Sequence, residues 1–78
     1  MKFHMTETIH HGTFYLEHGF TGDADIASSN LVTCSPYNNV PKLRRDLLAA
    51  AERVMRDNAP VNFEYGWGVY TVTESENM

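Results

Sequence analysis

Seventy-eight residues, a formal charge of −4 and a single cysteine describe one small domain, residues 1–78, held without an internal disulfide. The acidic balance argues against a general nucleic-acid binder, which carries a positive excess. The longest helix-compatible apolar run, residues 47–51, is far too short to cross a membrane, and residues 1–7 carry no apolar leader, so a cytoplasmic protein is expected.

Residues 2–9 alternate in polarity. Phe3, Met5 and Ile9 fall on one side with Glu7 interrupting them, and Lys2, His4, Thr6 and Thr8 fall on the other. Strand side chains alternate with period two, so this segment reads as a strand. Gly12 supplies the positive φ of a tight turn. Residues 13–20 alternate again, with Phe14, Leu16, His18 and Phe20 sharing a face. A β-hairpin over residues 2–19 follows, and it could set His4 opposite His18.

Residues 21–30 are small, polar and turn-rich, and read as the longest loop, with room for one helical turn after Asp23. Residues 31–37 read as a third strand, closed by the turn chemistry of Pro36-Tyr37-Asn38-Asn39. Residues 41–57 are the helix: Leu43, Leu47, Leu48, Ala51, Val54 and Met55 form one apolar stripe at helical period. Pro41 suits the first turn, Asn39 is a candidate cap, Asn58 suits a left-handed terminus and Pro60 blocks continuation.

Residues 61–73 read as one long aromatic strand with Val61, Phe63, Tyr65, Trp67 and Val69 on an apolar face. Gly66 and Gly68 share the other face, and mark either a bend around the helix or a bare patch that admits a partner. Residues 74–78 read as a disordered acidic tail. The expected fold is therefore α+β: a small antiparallel sheet of three to four strands, in the order β-β-β-α-β, packed on one amphipathic helix.

Catalytic and ligand motifs are absent from the pattern. His4, His10, His11 and His18 lack the H-x-x-x-H spacing that converges on a metal. Cys34 would need a base or a helix N-terminus beside it to form a thiolate, and Pro36 and Tyr37 carry the chain away from the helix that follows; Asp23 and Asp25 lack the rest of a calcium loop. No phosphate loop, nucleophile elbow or dinucleotide fingerprint occurs. The reading is a protein that is not an enzyme and takes no metal or cofactor.

Two contact surfaces remain. Residues 41–57 hold five basic against three acidic side chains, whereas the rest of the chain is strongly acidic. Lys42, Arg45, Arg53 and Arg56 lie within about 80° on a helical wheel, and Arg44 points toward the apolar side. Pairs at i, i+4 (Lys42 with Asp46, Glu52 with Arg56, Arg53 with Asp57) would partly neutralise this face. The second surface is aromatic, with Tyr65, Trp67 and Tyr70 as candidates. Size, acidity and these surfaces suggest a small protein-interaction module, a stoichiometric inhibitor or adaptor; chains of this size class include the inhibitors of host defence that phages and mobile elements encode. A homodimer is compatible with that. The alternative is a nucleic-acid binder using the basic helix face.

Overall fold

The computed structural model describes residues 1–75. The chain runs β1 (Lys2–His11), β2 (Phe14–Gly22), α1 (Ala24–Cys34), α2 (Pro41–Asp57), β3 (Val61–Tyr65) and β4 (Gly68–Ser75). The four strands form one antiparallel sheet in the order β2-β1-β4-β3. Both helices cover the same face, burying Phe3, Met5, Val61, Tyr70 and Val72 against Ala27, Leu31, Leu43, Leu47 and Val54. The α+β class and the antiparallel sheet are as expected. The element order differs, with two helices rather than one.

The first hairpin forms as its alternation dictates. Gly12 takes φ 61° in a two-residue turn between His11 and Phe14, where a glycine-first loop matches strand twist. Its register places His4 opposite Thr21 and Glu7 opposite His18, so His4 and His18 do not face one another.

Residues 24–34, expected to be a loop and then a strand, are helix α1. Asp23 accepts a hydrogen bond from the Ile26 N–H at 3.0 Å and so caps the first turn. Ala27, Ser28 and Leu31 are buried. Two small residues and one leucine make a narrow stripe, enough to seat a helix on the sheet although the flanking Ser, Asn and Thr are poor helix formers.

Helix α2 has the bounds its stripe predicts. Leu43, Leu47, Ala50, Ala51 and Val54 are buried, whereas Met55 lies outside the contact and is exposed. Val40, not Asn39, is the N-cap, and no side chain caps the helix; Pro41 holds the residue before it extended. Asn58 closes the helix in the left-handed region at φ 54°.

The long aromatic strand is instead a second hairpin. Tyr65 pairs with Gly68, and Gly66, at φ 58°, opens the two-residue turn. The apolar face consequently changes parity: Val61, Phe63 and Tyr65 face the helices before the turn, Tyr70 and Val72 after it, and Val69 faces outward and is exposed. Glu74 and Ser75, expected in the tail, pair with Phe3 and Lys2 as the end of β4. The rest of that tail lies outside the described residues.

Element lengths set what the helices leave open. At about 3.3 Å per residue the ten residues of β1 reach ~33 Å, close to the 35 Å long axis of the molecule. At about 1.5 Å per residue the eleven residues of α1 cover ~16 Å, half of that. Helix α1 starts beside Gly22, and the residue that follows it, Ser35, bonds Glu7. Beyond Glu7 the sheet continues without α1 above it.

Candidate functional site

Glu7 breaks an otherwise apolar strand face and is fully buried. A buried carboxylate needs donors, and three converge on it. His18 Nε2 lies 2.6 Å from Oε1, while the Ser35 hydroxyl at 2.5 Å and the Tyr70 hydroxyl at 2.8 Å both donate to Oε2. Among the described residues no buried side-chain polar atom is left without a partner. Burial, and then the bond to the Glu7 carboxylate and its charge, push the Tyr70 phenol well above the usual tyrosine value.

The Ser35 hydroxyl oxygen also accepts the Tyr37 backbone N–H at 2.9 Å, and the Tyr37 hydroxyl accepts the Trp67 backbone N–H at 2.9 Å. The Tyr37 ring meets Tyr65 edge-on at 5.2 Å. One hydrogen-bonded chain therefore runs from Glu7 through Ser35 and Tyr37 to Trp67. Gly66 makes this possible, because a Cβ there would collide with the Tyr37 hydroxyl. Gly68 is similarly required: a Cβ there would stand 2.6 Å from the Tyr70 hydroxyl oxygen. The two glycines thus serve a turn and two close approaches rather than a bend or a bare patch.

On the far side of this polar row lies an open apolar cleft of about 270 Å³ lined by Ile9, His11, Phe14, Pro36, Tyr37 and Trp67. Trp67 is 63 % exposed and stacks flat on His11, with ring centroids 3.6 Å apart and planes 6° from parallel. Phe14 is 50 % exposed on the same rim. The stack orders a large indole while leaving most of it open to solvent.

Of the aromatic candidates, Trp67 is in the cleft and Tyr65 packs beneath it against Tyr37. Tyr70 is a correction: at 0 % exposure it cannot touch a partner, because the parity change at the turn aims it at Glu7. The basic candidates stay on α2, away from the cleft. Arg45, Arg53 and Arg56 are exposed, Lys42 pairs with Asp46 at 3.1 Å and Arg56 turns to Asp57 at 3.4 Å. Of the three expected i, i+4 pairs, only Lys42 with Asp46 forms among the described residues. Arg44 spans to α1, bonding Ser29 and Asp25; it is a brace between helices and not a free anchor.

His18, Ser35 and Glu7 do not make a nucleophile relay, since Ser35 donates to the carboxylate and not to the imidazole. The four histidines are dispersed: His4 bonds Thr21, His10 meets Tyr15 edge-on, His11 stacks on Trp67 and His18 holds Glu7. No group of three metal-ligating side chains occurs among the described residues. None of their helices is long and apolar enough to cross a membrane.

The sequence reading missed His11, Phe14, Pro36 and Tyr37 as cleft residues and Glu7, His18 and Ser35 as its support. Glu7 carried a signal, as the lone acid on an apolar strand face. No protein-family model matches the chain, and no match is found among curated proteins or solved structures.

Proposed function

We propose that this chain is a small, non-catalytic, cytoplasmic protein-interaction module, an inhibitor or adaptor that grips an apolar side chain of a protein partner in the Trp67 cleft. The carrying observation is the exposed Trp67, its indole stacked on His11 and its backbone N–H held by the Tyr37 hydroxyl. Rigid aromatic anchors beside an apolar recess supply most of the energy in small interfaces. The basic face of α2 supports binding less well, because part of its charge is already paired within the helix and surface pairs of that kind contribute little.

The test is capture from bacterial lysate, with and without nuclease, by the tagged protein, its Trp67→Ala variant and a triple Arg45→Ala, Arg53→Ala, Arg56→Ala variant, read by mass spectrometry. A protein held by the parent and the triple variant but lost by Trp67→Ala supports the cleft. Truncating a central tryptophan costs about 2 kcal/mol or more, ~30-fold in Kd. Capture that survives Trp67→Ala and fails in the triple variant moves the contact to α2. Capture abolished by nuclease replaces the reading with nucleic-acid binding.

A further inference from the structure

The sheet ends in two unlike edges: β3, five residues long, and β2, nine residues long. Long edge strands are normally guarded by lysine, proline or a bulge, because their unpaired N–H and C=O groups recruit another strand. Phe14–Gly22 contains no lysine, arginine or proline, and one acid, Glu17. We propose that two copies of this chain join through β2, antiparallel, about a twofold axis at His18, merging their sheets into one.

The register follows from the hairpin. In a two-residue turn the flanking residues, His11 and Phe14, form a hydrogen-bonded pair, and such pairs recur at every second residue. Tyr15, Glu17, Gly19 and Thr21 therefore turn their backbone groups outward. A twofold centred on Glu17 would oppose two carboxylates. One centred on Gly19 would leave Tyr15 without a strand residue across from it. Centring on His18 pairs Tyr15 with Thr21 of the second copy and Glu17 with Gly19, and engages every outward group. His18 meets its own copy on the axis.

The same register matches apolar surface. Phe14 falls across from Gly22 of the second copy, and Ile26 lies directly over Gly22. Phe14 is 50 % and Ile26 52 % exposed, and the register brings them together. Leu16 falls across from Phe20, both half-buried. Arg44 shows that Asp25 and Ser29 face α2; Ile26 lies about 60° round the helix from Ser29, on the side that meets Gly22 of the edge strand β2. Because α1 covers only the half of the hairpin near Gly22, the twofold sets the covered half of one copy beside the open half of the other. A second copy therefore fits this edge better than an unrelated strand.

Sedimentation and paired cysteines test this independently of Trp67, since none of the altered residues lines the cleft. The native chain should sediment at twice its 8.9 kDa, and Ile26→Glu, on an exposed helix position, should weaken the dimer at least ~10-fold while leaving the circular dichroism unchanged. In a Cys34→Ser background, Tyr15→Cys mixed with Thr21→Cys should form a disulfide on oxidation. Such pairs lie about 5.5 Å apart between Cα atoms, within disulfide reach. Tyr15→Cys alone should not link, its copies being about 20 Å apart in this register. A monomer mass at high concentration, a dimer indifferent to Ile26→Glu, or linking by Tyr15→Cys alone would each overturn the proposal.

Discussion

The helix-facing side of the sheet has two unlike halves. From Phe3 to Met5 along β1 the strand lies under helix and its side chains pack against Ala27, Leu31, Leu43 and Leu47. From Ile9 to His11 the cover is a turn, Pro36 and Tyr37, and the aromatics on the rim are open to solvent. Between them stands one polar row, His18, Glu7 and Tyr70 on adjacent strands with Ser35 above. The row falls where α1 ends, and the residue that closes the helix delivers the hydroxyl that satisfies the carboxylate. A core residue here would have no helix above it. A carboxylate can instead use three donors at once and pass their order on to Tyr37 and Trp67. The difference teaches that the cleft is built by the shortness of α1 and held by hydrogen bonds and ring stacking rather than by helix packing.

Removing the centre of the row against removing a leucine of the packed half separates these two supports. Glu7→Ala strands two buried donors, Ser35 and Tyr70, and the partly buried His18, and should cost about 3–5 kcal/mol, while Leu31→Ala should cost about 2–5 kcal/mol as a cavity. Both are large for a domain of this size, whose whole stability is about 4–12 kcal/mol. Urea unfolding reads the losses. Trp67 emission in the folded state distinguishes them: it should shift in Glu7→Ala and stay put in Leu31→Ala. Glu7→Gln, which sets one amide against a donor, should fold and lose about 1–3 kcal/mol. If Glu7→Gln left both stability and emission at parental values, the row would have no supporting role.

A finer contrast is available between the two hairpin turns, each a glycine at φ near 60°. An added Cβ at Gly12 meets nothing within 4 Å, whereas at Gly66 it meets the Tyr37 hydroxyl. Gly12→Ala should therefore cost only the left-handed strain, about 1–2 kcal/mol. Gly66→Ala should exceed it by about 1–3 kcal/mol for overpacking. Tyr37→Phe removes the oxygen that the Cβ strikes, so in a double-mutant cycle the excess should shrink. Equal losses at both turns would show that the Tyr37 contact is not tight.

Those turns also show how much was legible in the sequence. A two-residue turn moves the inward face from odd to even positions. In the first hairpin the apolar set makes that move openly, from Phe3, Met5 and Ile9 to Phe14, Leu16 and Phe20. In the second, Trp67 and Val69 continue the odd series after Tyr65 and hide the change to Tyr70 and Val72. Helix α2 was legible because five buried residues repeat at helical period. Helix α1 was not, because it buries only Ala27, Ser28 and Leu31 and its stability comes from docking. Of the site, Trp67 stood out and Glu7 showed only as an interruption of an apolar strand face, but Ser35 and Tyr37 gain their roles from contacts 28 and 30 residues away in the chain, which local pattern does not carry.

Tyr70 belongs to both halves, and its titration measures how firmly they are joined. Its ring stacks on Phe63 at 5.2 Å in the packed region, while its hydroxyl bonds Glu7 in the polar row. Burial first, and then the Glu7 bond and charge, raise its phenol above the ordinary 10.0. A folded-state value above the unfolded one favours the protonated phenol in the native state. Its contribution is thus fully present below about pH 10 and is lost as pH rises beyond it, at up to about 1.4 kcal/mol per pH unit. Tyr15 is also raised, by its hydrogen bond to Glu17, but it is common to the parent and the variant and cancels. Tyr70→Phe should cost about 1–2 kcal/mol near neutral pH through the lost bond and should flatten the decline measured by urea midpoints between about pH 9 and pH 11. A parental decline no steeper than that of Tyr70→Phe would mean that the phenol ionises in place, and that water reaches the row from the open half.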